Sequence, residues 1–207
     1  MKINAKPILL STGIIAILFY VLHVILGGFL WKGYSHLQQP ISDLTSTGAP
    51  NRDLMFLFTN IYSGFVLIFA FTFTFYEGKK HHKFVFWGSI SFIVLHLISI
   101  LYTFFPQDLP GNGTTFLGSM HIVVTGLIVP FTIGAPLLIG LGFIKEKKWK
   151  SFGIFSVVIS IAIFIFGGMS GVFFVNKLPY FGIVERINIG FLQIWTCCLS
   201  YKLISQK

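Results

Sequence analysis

The chain has 207 residues, of which 55% are hydrophobic and 10% are charged, and its formal net charge is +9. An average soluble domain has about 25% charged residues, so this composition excludes an ordinary soluble protein and indicates a single-domain integral membrane protein. The positive charge is explained by membrane topology, as described below, and we derive no nucleic-acid site from it.

Six hydrophobic segments are each long enough to cross a bilayer, which takes about 20 apolar residues in a helix. In chain order they cover residues 7–30, 54–76, 84–105, 114–144, 152–175 and 185–204. Backbone polar groups must be satisfied inside hydrocarbon, so segments of this length form helices rather than the shorter strands of a barrel. The sequence predicts an all-α polytopic membrane protein, a six-transmembrane-helix bundle. Pro130 and Pro136 should kink the fourth helix.

The longest polar stretch of the chain, residues 34–53, joins the first two predicted helices. Pro40 can start a short helix through Ile41-Ser42-Asp43-Leu44, and Gly48 can end it. Asn51 or Asp53 is a plausible N-cap for the second helix. Acidic and basic residues balance on this side of the membrane, as expected where desolvated charges must be paired. The sequence therefore predicts an ordered first outer loop that covers the bundle.

Basic residues are divided unequally between the two ends of the predicted bundle. One end has only four of the 15, which are Lys32, Arg52, Lys177 and Arg186. The other end has the remaining eleven, which are Lys2, Lys6, Lys79, Lys80, Lys83, Lys145, Lys147, Lys148, Lys150, Lys202 and Lys207. Cytoplasmic loops carry the excess of Lys and Arg, so both termini are predicted to be cytoplasmic.

Small and polar residues recur three or four positions apart on five predicted helices, and this spacing places them on one face. Such stripes should face the bundle interior rather than lipid. In chain order the stripes are Thr12, Ala16, Tyr20, His23 and Gly27; Asp53, Asn60 and Ser63; Gly88, Phe92, His96, Ser99 and Thr103; Gly118, His121, Thr125 and Thr132; and Glu185, Asn188, Gln193 and Thr196.

Three histidines on these stripes, His23, His96 and His121, are predicted at a similar depth. A rise of about 1.5 Å per residue places them roughly 10–14 Å below the outer surface. Ionisable groups at this depth are candidates for function, although a neutral histidine bonded to a neighbouring hydroxyl is a structural alternative. Depth alone does not decide whether the three converge. Above them the sequence predicts a polar group of His36, Asp43, Asp108, Glu185 and Arg186.

Several short motifs, taken in order, resemble domain-of-unknown-function family 998, which consists of six-helix prokaryotic membrane proteins. They are Gly33-Tyr34-Ser35-His36, Pro40-Ile41-Ser42-Asp43-Leu44, Gly48-Ala49-Pro50, Phe105-Pro106-Gln107-Asp108, His121, and Gly182 with Glu185-Arg186. The Ile-Ser-Asp and Gly-x-Pro elements are also distantly similar to the DRAM, Frag and Sfk group of eukaryotic six-helix proteins. The resemblance implies a bacterial plasma membrane protein and no established reaction. It also implies an outer-face polar site of Asp43, Asp108, His121, Glu185 and Arg186.

Two functions stay open, and the sequence does not decide whether the protein is an enzyme. In the favoured one the protein binds or organises membrane lipid, with a headgroup held by His36, Ser42, Arg52 and Arg186 and phosphate paired by an arginine. The alternative is an intramembrane zinc-dependent lipid hydrolase. Its metal would be bound by His23, His96 and His121, and its catalytic carboxylates would be Asp43, Asp108 and Glu185.

The hydrolase alternative resembles the three-histidine chemistry of the alkaline-ceramidase superfamily, which has seven helices and different local spacings. Electron transfer through haem is disfavoured because the inner half of the predicted bundle has no membrane-embedded histidine to form a second ligand pair. A transporter is disfavoured because the two halves lack matching broken helices. The sequence indicates no oligomeric state.

Position 80 tests the predicted orientation. In a chain whose Cys197 and Cys198 are replaced by serine, Lys80→Cys should react with a membrane-impermeant maleimide only after cells are permeabilised. Lys32→Cys should react in intact cells, because its loop is predicted to lie outside. Labelling of position 80 in intact cells would reverse the orientation.

Overall fold

The structure is a computed structural model that describes residues 5–109, 111 and 113–206. Lys2 and Lys207, which contribute to the predicted charge asymmetry, lie outside the described residues. The described residues form six helices long and apolar enough to cross a membrane. They are α1 (Ala5–Leu30), α2 (Arg52–Phe73), α3 (Lys83–Ser99), α4 (Phe116–Phe143), α5 (Lys150–Val175) and α6 (Phe181–Ile204). The predicted all-α, six-helix fold is confirmed.

The helix ends differ from the predicted ones in ways that affect the site. The α6 helix begins at Phe181 rather than at residue 185, so Glu185 and Arg186 lie in its second turn. The α2 helix continues as a π-helical turn over Thr74–Gly78, and a 3-10 turn over Ile100–Thr103 follows α3. The α4 helix runs without interruption through Pro130 and Pro136.

The six helices form a closed ring, because each packs against its neighbours in sequence and α6 packs against α1. Large side chains fill the middle of the ring, where Trp195 of α6 packs edge-on against Phe92 of α3. We call the end with residues 31–51 the lid end. The opposite end, with the lysine-rich loops 79–82 and 144–149, is called the basic end.

The backbones of α4 and α5 approach each other closely at two glycines, which have no side chains to hold the helices apart. A Cβ atom added at Gly140 would lie 2.8 Å from the carbonyl oxygen of Gly153, and one added at Gly153 would lie equally close to the carbonyl of Gly140. About two turns nearer the lid end, Ser160 Oγ donates a hydrogen bond of 2.8 Å to the carbonyl of Ile133. The proline ring of Pro136 disturbs the hydrogen bonding of α4 nearby. The bond from Ser160 of the neighbouring helix therefore helps to satisfy a backbone carbonyl close to this proline.

Ionic contacts tie the loops together at the basic end. His81 Nδ1 lies 2.6 Å from the Glu146 carboxylate, and its Nε2 lies 3.6 Å from Glu77. Glu77 also pairs with Lys6 of α1. These contacts connect α1, the loop between α2 and α3, and the loop between α4 and α5.

Glycine substitutions on α4 test the packing against α5. Gly140→Ala should lower the unfolding free energy in detergent by about 1–3 kcal/mol, because the methyl group overpacks a backbone contact. Gly126→Ala is the matched control on the same helix, since its added Cβ meets nothing within 4 Å. Alanine is the better helix former by up to about 1 kcal/mol, so the control should be unchanged or slightly more stable. Equal effects at both positions would contradict this packing.

Candidate functional site at the lid end

Residues 31–51, which we call the lid, fold into an ordered segment over the bundle, as predicted. A 3-10 helix over Ile41–Thr45 follows Pro40, and Gly48 ends the turn with a φ of +93°, a conformation that favours glycine. Ile41 and Leu44 are buried and form an apolar cluster with Met55 of α2. This cluster fixes the lid on the bundle.

The lid also supplies hydrogen-bond acceptors to the start of α6. The backbone N–H groups of Gly182 and Ile183 donate to the carbonyls of Gln38 and Leu37, at 3.2 and 3.1 Å. The first N–H groups of a helix have no partner within the helix, so the lid satisfies donors that α6 cannot satisfy itself. A Cβ atom at Gly182 would collide with the carbonyl of Gln39. This position therefore needs glycine.

Arg186 is held by neutral groups around it. Its Nη1 donates to the carbonyls of Gln39 and Gly182, at 2.7 and 2.9 Å, and its Nη2 donates to the hydroxyl of Tyr34. Its Nε is shielded from water and has no hydrogen-bond partner in the described part of the chain. Among the residues that the structure describes, no carboxylate oxygen lies within 4 Å of this guanidinium. Arg186 is thus positioned but not neutralised.

Asp43 belongs to the lid and is completely buried, between two glutamine side chains. Gln107 Nε2 donates to its Oδ1 at 3.3 Å, and Gln39 Nε2 donates to its Oδ2 at 3.4 Å. Ser42 Oγ in turn donates to Gln107 Oε1 at 2.5 Å. Burial raises the pKa of Asp43 to about 6, against the opposing effects of the Gln39 bond and the Arg186 charge. The aspartate is therefore partly protonated under mildly acidic conditions.

Glu185 completes the contact between the lid and α6. Its Oε2 accepts a 2.5 Å hydrogen bond from the backbone N–H of Ile41. Arg186 interacts electrostatically with Asp43 across the same contact. Asp43, Glu185 and Arg186 therefore come together here, and we call this place the lid–α6 junction.

Asp108 and His121 belong to a separate group at the start of α4. Both oxygens of the Asp108 carboxylate accept from Thr115, one from its N–H and one from its hydroxyl, each at 2.8 Å. The Thr115 hydroxyl accepts from the N–H of Gly118 and so caps α4. His121 Nδ1 lies 3.0 Å from the carbonyl of Phe105. These contacts support the loop before α4, which joins the lid through the Thr47 N–H and the Gln107 carbonyl.

The predicted zinc ligands are not grouped. Among the described residues there is no set of three or more His, Cys, Asp or Glu side chains placed to hold a metal ion. His23 and His96 are buried within the bundle, whereas His121 bonds to the loop before α4. The residues present do not fit a zinc centre, and we derive no step through a metal.

The remaining predicted binding residues lie on the lid surface or at the start of α2. His36 is exposed and packs edge-on against Tyr34, and partial burial together with the Arg186 charge lowers the pKa of His36. Arg52 stacks over the Phe56 ring, 4.7 Å from its centre. It lines a shallow pocket formed by residues 48–54. Arg52 and Arg186 therefore face different pockets.

A groove with a volume of about 450 Å³ runs between α1 and α6. Arg186 lies at its lid end, and Cys197 and Cys198 lie at its deep end. Tyr20 and Gln193 lie midway along the groove. The remaining wall is apolar and consists of Ile17, Val21, Val24, Ile25, Ile41, Ile189, Gly190 and Ile194. Of the five residues predicted to form the outer-face site, Arg186 lines this α1–α6 groove, and Asp43 and Glu185 are not among the described residues that line it.

Sequence reasoning missed the neutral residues that organise the junction. Gln39 and Gln107 each join two parts of the lid–α6 junction, and the Tyr34 hydroxyl holds Arg186. One signal was available, because each glutamine directly neighbours a proline in a short polar stretch. The distance along the chain between them, however, gives no indication that both would bind Asp43.

Stability as a function of pH tests the burial of Asp43. A pKa raised from 3.8 to about 6 means that the folded state binds the proton more tightly than the unfolded state. The Asp43 contribution to stability therefore falls as pH rises through this window. Relative to wild type, Asp43→Asn should gain up to about 3 kcal/mol of unfolding free energy between about pH 4 and pH 7. A difference that does not vary with pH, measured by unfolding in detergent, would contradict this.

Comparison with known proteins gives one family. No curated protein and no solved structure matches the chain. The similarity to the DRAM, Frag and Sfk group stays a prediction. The sequence model of a family described as protein of unknown function (DUF998) matches residues 14–202, and this range includes all six membrane-spanning helices in whole or in large part. The chain is therefore a multi-pass membrane protein that belongs to the DUF998 family.

Proposed function

We propose that the protein binds an anionic lipid in the α1–α6 groove. Arg186 would hold the charged headgroup, and the apolar walls would hold an acyl chain. The observation that carries this proposal is the combination of a long apolar groove with an arginine at one end that has no carboxylate oxygen within 4 Å among the described residues. A buried charge without a partner is costly, so a site of this kind favours an anion.

The dimensions of the groove support an extended ligand. Along α6 the lining runs from Arg186 to Cys198, which corresponds to roughly 18 Å at the rise of an α-helix. Its volume falls within the range of about 300–1,000 Å³ that is usual for ligand pockets. Val21, Ile25 and Ile194 line the groove and are each about half exposed on the bundle surface. A lipid could therefore enter sideways from the bilayer.

The chemistry of Arg186 supports a phosphate or carboxylate headgroup. A guanidinium has five N–H donors in a planar fork that matches such oxyanions. Carbonyl and hydroxyl partners occupy Nη1 and one donor of Nη2, which leaves Nε and the second Nη2 donor. Because the lid fixes the guanidinium before a ligand arrives, little side-chain entropy would be lost on binding.

Binding is favoured over zinc-dependent hydrolysis on geometric grounds. The junction supplies a cation, an apolar groove and neutral hydrogen-bonding groups, whereas the described residues supply no grouped metal ligands. The carboxylates of Asp43 and Glu185 are hydrogen-bonded to lid residues and do not belong to the described groove lining. We accordingly assign these carboxylates to the architecture of the junction rather than to catalysis.

The excess of lysine at the basic end supports a bacterial plasma membrane protein whose lid faces outward. In that orientation the groove would receive lipid from the outer leaflet.

Lipid binding by the purified protein, measured by native mass spectrometry, tests the proposal. Wild type should bind phosphatidylglycerol more tightly than phosphatidylcholine, because only the former has a net negative charge. Arg186→Gln should weaken phosphatidylglycerol binding by about tenfold or more, the effect of losing a charged hydrogen bond worth about 1.5–3 kcal/mol. Arg52→Gln is the matched control and should bind like wild type.

A second pair of variants tests the chain-binding part of the groove without disturbing the lid. Gly190 lines the groove and a Cβ atom there meets nothing within 4 Å, so Gly190→Leu should fill the groove and reduce binding of both lipids. Gly168→Leu on α5 is equally unobstructed, lies outside the groove lining, and should bind normally. Unchanged binding in both Arg186→Gln and Gly190→Leu would refute the site.

A further inference from the structure

Five side chains from four helices form a buried polar cluster in the lid-end half of the bundle. Tyr20 and His23 come from α1, Tyr62 from α2, His96 from α3 and Gln193 from α6. Ring contacts connect them in a row, with centroid separations of 6.0 Å for Tyr20–His23, 5.2 Å for Tyr20–Tyr62 and 6.1 Å for Tyr62–His96. Gln193 Nε2 donates to the Tyr62 hydroxyl at 3.1 Å. The lipid-binding proposal makes no use of His23, Tyr62 or His96.

Several polar atoms of this cluster have no hydrogen-bond partner among the residues that the structure describes. Both ring nitrogens of His23, Nε2 of His96 and Oε1 of Gln193 are shielded and make no hydrogen bond. Their side chains are more than nine-tenths buried, with exposed fractions of 2%, 3% and 7%. Buried polar groups in native proteins are almost always paired, with protein or with ordered water. Four orphaned atoms in one cluster therefore point to a ligand.

The pattern of donors and acceptors defines that ligand. A neutral imidazole has one nitrogen that donates and one that accepts, so His23 needs a partner that can accept and donate. The Gln193 carbonyl oxygen needs a donor. Among the described residues of the cluster none carries a fixed charge, so an ion would gain no opposite charge there. Water is the smallest molecule that meets both needs, and buried waters usually make about three hydrogen bonds to such groups.

The α1–α6 groove borders the cluster, because Tyr20 and Gln193 belong to both. On the other side, Phe92 packs edge-on against His96 at 4.5 Å, and Trp195 packs against Phe92. Apolar rings therefore close the cluster toward the basic end. We propose that the buried polar cluster is a binding site for ordered water, reached from the groove and ending at His96.

Radiolytic footprinting of the purified protein in detergent tests this inference. X-rays generate hydroxyl radicals from bound water, and these oxidise side chains next to it. His23 and His96 should be oxidised several-fold faster than Trp195, which is fully buried in the apolar core and is the internal control. Oxidation of both histidines no faster than that of Trp195 would overturn the proposal.

A stability measurement gives an independent outcome. If His96 bonds to water, His96→Leu should lower the melting temperature in detergent, because it removes a satisfied polar group and leaves the water with fewer partners. If the site is dry, the same change removes an unsatisfied group and should raise the melting temperature, which would count against the proposal. Gly64→Leu, at an exposed position of α2 where an added Cβ atom meets nothing within 4 Å among the described residues, is a control for the general effect of adding an apolar side chain.

Discussion

The hydrogen bonds between the lid and the first turn of α6 are the constraint on which the lid end depends. Without the carbonyls of Leu37 and Gln38, the first N–H groups of α6 would be left unpaired at the edge of the hydrocarbon, where each costs free energy. The same segment of the lid supplies the Gln39 carbonyl that accepts a hydrogen bond from Arg186. Helix capping and the position of the cation are therefore one arrangement, and a change that detaches the lid would lose both.

The two ends of the bundle treat charge in opposite ways. At the basic end Glu77 pairs with Lys6, and Glu146 lies 2.6 Å from His81, so each of these acidic groups has a partner within the protein. At the lid end Arg186 has only neutral partners within hydrogen-bonding distance. A charge that is held but not neutralised is unfavourable in isolation and becomes favourable when an anion binds. This difference is why the lid end, rather than the more highly charged basic end, is the candidate site.

Sequence reasoning predicted the features that follow from the order of residues along the chain. It missed the features that depend on which side chains meet across the bundle. Segment length and composition predicted the six helices, and turn residues predicted the lid. The α1 stripe was correct, since Thr12, His23 and Gly27 are buried. The α2 stripe was wrong: Asn60 is exposed and accepts a hydrogen bond from Thr103, because the phenylalanine-rich face of α2 packs inward instead. The sequence predicted the three histidines at a similar depth. In the structure the packing of aromatic rings separates them, and no local sequence pattern indicates this separation.

The face of α6 that looks toward α1 unites the groove and the buried polar cluster. Arg186, Gly190, Gln193 and Cys197 are spaced four, three and four residues apart, so they follow one stripe of the helix. The arginine gives the stripe a charged end, and the glycine leaves room where a side chain would fill the groove. One turn deeper, Gln193 turns its amide nitrogen to Tyr62 and leaves its oxygen unpaired. An amphiphile lying along this stripe would therefore place its headgroup at the cation and its acyl chain over the apolar stretch. Such a sequence of surfaces suits an amphiphile better than a wholly apolar molecule, because each region of the ligand meets a matching region of the helix.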